Sequence, residues 1–70
     1  MEFRTSDLYL AAFLKAKGHA LSWEHKGRCI FIFNGDTQVD RENFINGGNV
    51  DVSLFISAIQ SLKTLIFKRS

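Results

Sequence analysis

The sequence predicts a single small α+β domain over residues 1–70, in the order helix, β-hairpin, short helix and long C-terminal helix. Three observations lead to this fold class. Helix start and stop signals bracket three segments, a pair of β-rich runs lies between the first two, and 70 residues leave room for one hydrophobic core. Because a two-stranded antiparallel hairpin is marginally stable alone in water, we expect it to pack against the first and last helices.

The first predicted helix covers residues 6–17. Thr5, Ser6 and Asp7 supply side-chain oxygens that can accept hydrogen bonds from the free amides of a first helical turn. The segment that follows is rich in alanine and contains no glycine or proline, which favours a helix. Gly18 can adopt the left-handed conformation that ends many helices.

A β-hairpin is predicted over residues 20–33. Leu21 and Trp23 alternate with polar residues in the first strand, and a continuous apolar run from Cys29 to Phe33 forms the second. Gly27 lies between the two strands and can supply the positive φ that a tight turn requires. Since successive side chains of a strand point to opposite faces, both faces of the second strand are apolar, and we expect both to be covered.

Two helices are predicted after the hairpin. Asp36 or Thr37 can cap a short helix that ends near Asn46. Asp51 is a good N-cap for a long helix over residues 52–68. That helix is too apolar for an ordinary surface helix, because its apolar side chains cover an arc of roughly 220° at about 100° per residue.

The apolar arc of the last helix is the leading candidate interaction surface. A chain of this size can hardly bury two such helices, since the first is similarly apolar. Part of the arc is therefore either left exposed in a monomer or covered by a second copy of the chain or by another protein. The candidate residues are Leu54, Ala58, Ile59, Lys63, Leu65, Ile66 and Phe67.

Lys63 is the one charged residue set inside that arc. We expect its methylenes to lie on the core while the ammonium group stays in water. The alternative is an ion pair with an acidic residue of the short helix or of a partner.

The sequence contains no recognisable catalytic, cofactor-binding or metal-binding motif. His19, His25 and the single Cys29 do not match the ligand spacing of a structural zinc site. Cys29 lies in an apolar strand, where burial makes a thiol unreactive. We therefore expect no cofactor, no metal and no enzymatic activity. A lone cysteine without a signal peptide or a bilayer-spanning run favours a cytoplasmic, non-membrane protein.

A basic rim around the hairpin is the second candidate site. It consists of Lys15, Lys17, His25, Lys26 and Arg28, with His19, Lys68 and Arg69 as extensions. Trp23 beside it could stack on a base. The net charge is only +2 and nothing resembles a recognition helix. A nucleic-acid-associated accessory protein is therefore the alternative to a non-enzymatic protein-interaction or accessory module that self-associates.

The segment from Phe3 to His19, FRTSDLYLAAFLKAKGH, resembles the opening of a small bacterial family catalogued as a domain of unknown function. The similarity continues through residues 31–33, 46–47, 50–51 and 62–63. Gly48-Asn49 departs from the family pattern, in which a charged or larger residue is expected soon after the Asn-Gly pair. The resemblance implies a freestanding bacterial domain, and it transfers no function because the family has no established activity.

Overall fold

The computed structural model describes residues 2–68. It has the element order β1 (Glu2–Thr5), α1 (Leu8–Ala16), β2 (Leu21–His25), β3 (Cys29–Asn34), α2 (Gln38–Ile45) and α3 (Val52–Lys68). The α+β class and the long C-terminal helix are confirmed. The prediction of a two-stranded hairpin is incomplete, because the described chain forms a three-stranded antiparallel sheet in the order β1-β3-β2.

Strand β1 is the element that the sequence analysis missed. It pairs with β3 in a register that places Phe3 opposite Phe33 and Thr5 opposite Phe31. Four residues are too few to show a clear alternation of apolar and polar side chains. The helix start signal at Thr5 to Asp7 also overlaps the end of the strand. The strand forms because β3 has two edges, each needing backbone partners, and β2 occupies only one.

The helices pack on one face of the sheet. Phe31 and Phe33 of β3 are fully buried in a cluster with Leu14 of α1 and Leu62 of α3. Phe3 and Leu21 lie on either side of Phe33 in the sheet and also pack against that cluster, so all three share one face of the sheet. We call this the inner face of the sheet.

The expected cover on both faces of β3 is wrong. Ile30 and Ile32 point to the outer face and are half-buried, but neither belongs to the core cluster. Their neighbours on the outer face are Arg4, opposite Ile32, and Glu24, opposite Ile30. Arg4 and Glu24 form an ion pair of 3.0 Å between Nη1 and Oε1. This pair links the two edge strands across β3, so polar side chains rather than a helix flank the isoleucines.

Side chains preceding the helices fix where they begin. The Asp7 carboxylate accepts hydrogen bonds from the amides of Tyr9 and Leu10 at 3.0 and 3.2 Å, so α1 begins two residues later than predicted. Asp51 accepts from the Leu54 amide at 3.1 Å and confirms the predicted start of α3. Positive φ at Gly18, after α1, is confirmed at 99°.

Helix α2 contacts strand β1 through Arg41. Asp36 accepts a hydrogen bond from the Gln38 amide at 3.0 Å, so Asp36 rather than Thr37 supplies the side-chain acceptor before this helix. The buried Thr37 hydroxyl instead accepts from Nε of Arg41 at 3.0 Å. The Arg41 guanidinium lies 4.3 Å from the ring centroid of Phe3, which is a cation–π contact. The first strand and the short helix are thereby joined although they are far apart in the sequence.

Candidate interaction surface on helix α3

Helix α3 faces the core with one strip of side chains. Phe55, Ala58, Leu62 and Leu65 follow one another at intervals of three or four residues. Ala58 and Leu62 are buried, with 4% and 0% of their surface exposed, and the other two pack against the same cluster. We call this set the inner strip.

A second strip lies beside the first and is more exposed. It consists of Val52, Ile56, Ile59 and Lys63, which lie within about 60° of one another on the helix. Their spacing of four, three and four residues is that of one side of a coiled coil. Val52 and Ile56 are 69% and 49% exposed, Lys63 is exposed, and Ile59 is half-buried at the border with the core. We call this set the outer strip.

The structure divides the predicted interaction surface. Leu54, Lys63 and Phe67 are exposed. Four other residues of the predicted surface face the core, Ala58 as a buried residue and Ile59, Leu65 and Ile66 as partly buried ones. Leu54 lies about 160° away from Ile56 around the helix, so it belongs to a different side of α3.

Val52 and Ile56 are the exposed apolar residues that the sequence analysis left out of its candidate surface. The signal that could have found them is their four-residue spacing, continued by Ile59 and Lys63. The breadth of the arc hid it, because an arc of that width does not indicate which of its parts meets the core.

Lys63 makes no ion pair within the described part of the chain, where the four pairs involve Arg4, His19 and Lys26. It is also the only charged residue between positions 52 and 67. The outer strip is therefore a nearly uncharged surface with one unneutralised ammonium group.

A shallow groove of about 200 Å³ lies between α1 and α3 on the side of Leu54. Its lining residues are Lys15, Ala16, Leu54, Ser57, Ala58 and Ser61. Small side chains leave this space open between the helices. The groove brings one cation and two hydroxyl groups together, without a carboxylate, histidine or thiol for acid–base or nucleophilic chemistry.

The predicted basic rim falls into two groups. Lys15 and Lys17 lie at the C-terminal end of α1, next to the beginning of β2, whereas His25, Lys26 and Arg28 lie around the turn after β2. The five residues of β2 separate the two groups by about 13 Å. Arg69 and the side chain of Lys68 lie outside the described residues.

Several of these bases already have partners. The Lys17 ammonium lies 5.5 Å from the ring centroid of Phe13, and Lys26 lies 3.8 Å from a carboxylate oxygen of Glu24. Arg28 and Arg4 line an open groove of about 470 Å³ together with Thr5, Ser6 and Ile30. Arg4 is itself paired with Glu2 and Glu24, and these hydrogen bonds raise its pKa.

His25 and Cys29 lie directly opposite each other on the inner face of the sheet. Burial raises the pKa of the Cys29 thiol, so the group stays protonated near neutral pH. Nε2 of His25 is buried and has no hydrogen-bond partner in the described chain, and no hydrogen bond joins His25 to Cys29 there. This arrangement does not activate a nucleophile.

The only histidine–carboxylate contact among the described residues joins His19 and Asp40. Nε2 of His19 donates to Oδ2 of Asp40 at 2.7 Å, and this hydrogen bond holds the pKa of the carboxyl below its usual value. Nearby, Phe13 and Phe44 meet edge to face at 5.3 Å. Together these contacts fasten α2 to the end of α1. Within the described chain no three His, Cys, Asp or Glu side chains converge on a common point.

Comparison with known proteins gives a family but no function. A family model described as a domain of unknown function, DUF5659, matches residues 1–68. No curated protein and no solved structure shows significant similarity to the chain. Across residues 2–68 no helix combines the length and apolar character that crossing a bilayer demands. Bacterial origin and cytoplasmic location stay predictions.

Proposed function

The chain belongs to the DUF5659 family of domains of unknown function, and we propose that it is a non-enzymatic interaction module that self-associates through the outer strip of α3. One observation carries this proposal. Val52 and Ile56 are 69% and 49% exposed within a strip that has coiled-coil spacing.

The small size of the domain supports self-association. A domain of about 60 residues buries only about 60% of the surface of its unfolded chain, so small domains often rely on disulfides, metals or oligomerisation. The only cysteine is Cys29, which rules out an intramolecular disulfide. Covering apolar surface on a second copy is another general route to added stability.

The composition of the strip supports a protein partner. Removing apolar surface from water contributes roughly 25 cal/mol of favourable free energy for each Å². The apolar side chains of Val52 and Ile56 remain exposed to water in the single chain. Apart from Asp51 and Lys63, the polar side chains near them are uncharged, namely serine, threonine and glutamine. Such side chains lose little solvation when a second helix approaches.

The test is the mass of the protein in solution, measured by light scattering after gel filtration and by sedimentation equilibrium. We expect a dimer at about 100 µM, where an association with a Kd in the micromolar range is largely complete. Ile56→Asp should give a monomer with an unchanged circular dichroism spectrum, because it places a charge in the strip without touching the core.

Val39→Asp is the matched control, since Val39 is also a large exposed apolar residue but lies on α2. This variant should dimerise like the unmodified chain. A monomeric unmodified chain at that concentration, or equal loss of dimer in both variants, would refute the proposal.

Association with nucleic acid is the second candidate function. The observation in its favour is the open groove where Arg4 and Arg28 lie with the hydroxyl groups of Thr5 and Ser6. Two guanidinium groups beside hydroxyls suit phosphate oxygens. The ion pairs of Arg4 and the separation of the basic rim into two groups weigh against it.

Fluorescence anisotropy with single-stranded DNA and RNA in about 20 mM salt tests this alternative, because phosphate contacts are strongest at low ionic strength. Binding that weakens with added salt and is reduced in Arg28→Ala would support it. A flat response to both nucleic acids would dismiss it.

A further inference from the structure

We infer that two copies of α3 pair antiparallel about a two-fold axis, with Lys63 of each copy beside Asp51 of the other. This inference rests on the proposed self-association and adds the partner, the direction and the register. It follows from the positions of charge along the helix.

The two charges lie too far apart to meet within one chain. Asp51 precedes α3 and Lys63 lies 12 residues further on, which is about 18 Å along a helix. Oδ1 of Asp51 accepts the Leu54 amide, and a carboxylate has a second oxygen that can accept from an ammonium group. Lys63 has no carboxylate partner among the described residues.

Symmetry limits how two identical strips can meet. A two-fold dimer uses the same patch on both copies, so the two helices run either parallel or antiparallel. In a parallel pair, Lys63 would face the second Lys63 inside the contact, and both helix N-termini would lie together. The parallel pair is therefore unfavourable on two grounds, because it brings two like charges together and also two like ends of the helix dipoles.

An antiparallel pair removes both conflicts. Centred on the middle of the outer strip, it places Val52 opposite the partner's Lys63 and Ile56 opposite the partner's Ile59. All four residues of the strip then have a partner. Asp51 adjoins Val52 in the sequence, so its Cα atom lies about 1.5 Å along the axis from the level of the partner's Lys63.

Other antiparallel registers lose these matches. A shift of seven residues in one direction leaves Ile59 and Lys63 without a partner in the strip. A shift of seven in the other direction leaves Val52 unpaired and puts Lys63 opposite Ile59, with no acidic residue near it. One register therefore satisfies both the apolar spacing and the charges.

Disulfide cross-linking reads the register directly. In a Cys29→Ser background, the double variant Val52→Cys/Lys63→Cys should form a covalent dimer under mild oxidation, because a disulfide requires Cα atoms within about 7 Å. The single variants Val52→Cys and Lys63→Cys should not cross-link alone, but an equimolar mixture of the two should. Val39→Cys/Lys63→Cys is the control for random collision.

A second measurement tests the ion pair. Lys63→Glu should weaken dimerisation by about fivefold to tenfold at low salt, since two favourable pairs become two repulsive ones, and Lys63→Gln should weaken it less. The difference between these variants should shrink as salt is added.

The outcomes separate the two proposals. A monomeric parent chain overturns both. A dimer in which Val52→Cys cross-links to itself shows a parallel pair, and a dimer without any of these cross-links shows another face. Either result overturns the antiparallel register and leaves self-association intact. Equal affinity of Lys63→Glu and Lys63→Gln overturns the pairing with Asp51.

Discussion

At the scale of single residues, a few polar side chains hold the domain together by joining segments or ending them. Asp7, Asp36 and Asp51 each accept backbone amide hydrogens that would otherwise be unsatisfied at a helix start. His19 and Asp40 join the loop after α1 to α2. Each of these contacts is a hydrogen bond to a carboxylate, so its contribution to stability depends on whether that carboxylate is ionised.

The Asp40 carboxylate should make stability depend on pH in the acid range. Its pKa is lowered in the folded chain, chiefly by the hydrogen bond from His19. A lowered pKa contributes stability that is present above the unfolded value, about 3.9, and is lost as pH falls through the folded value. Asp40→Asn should therefore lose less stability than the unmodified chain between about pH 5 and pH 2.

Urea unfolding at a series of pH values measures this difference. Glu42→Gln, on the exposed part of the same helix, is the control for removal of one negative charge. Parallel pH profiles for Asp40→Asn and the unmodified chain would contradict the prediction.

At the scale of elements, the connection between α2 and α3 depends on one close backbone approach. A Cβ atom added to Gly48 would lie 2.7 Å from the carbonyl oxygen and 2.8 Å from the Cβ of Asn43. This crowding accounts for a residue without a side chain at position 48. The chain needs glycine here because α2 ends against the start of the connection.

Gly48→Ala should lower the free energy of unfolding by about 1–3 kcal/mol, the usual cost of forcing an extra methyl group into occupied space. Asn49→Ala, at the exposed neighbouring position, should change it by less than about 0.5 kcal/mol. Chemical denaturation of the two variants makes the comparison. Equal stability of Gly48→Ala and the unmodified chain would show that the connection relaxes without cost.

At the scale of the whole molecule, one core joins segments that are distant in the sequence. Ala11, Leu14, Phe31, Phe33 and Leu62 meet in a single cluster although they come from α1, β3 and α3. The sheet contributes only its inner face, so the helices share one layer and the outer face carries the Arg4–Glu24 ion pair. Stability should therefore be concentrated on the inner side of α3.

Two leucines of the same helix test this asymmetry. Leu62→Ala removes a fully buried side chain and should cost about 2–5 kcal/mol, whereas Leu54, 54% exposed, should cost less than about 1 kcal/mol when changed to alanine. Thermal and urea unfolding provide the values. Similar losses for both variants would place the core elsewhere on α3.

The sequence by itself determined the features that depend on neighbouring residues. The start of α3 at Val52, the end of α1 before Gly18 and the turn at Gly27 follow from capping side chains and from backbone freedom, and each lies where it was predicted. The breadth of the apolar arc on α3 was also readable. These signals are local, because the groups involved lie within a few residues of one another.

The features that depend on residues distant in the sequence were decided only by the tertiary structure. Strand β1 exists because β3 offers it a free edge, and the outer strip of α3 is exposed because α1 and the inner face of the sheet occupy the other side of the helix. The identity of an apolar side chain does not indicate which surface will cover it. Tertiary packing determined which of the two strips is buried. The hydrophobic effect is non-directional, so either strip could have been covered by another apolar surface.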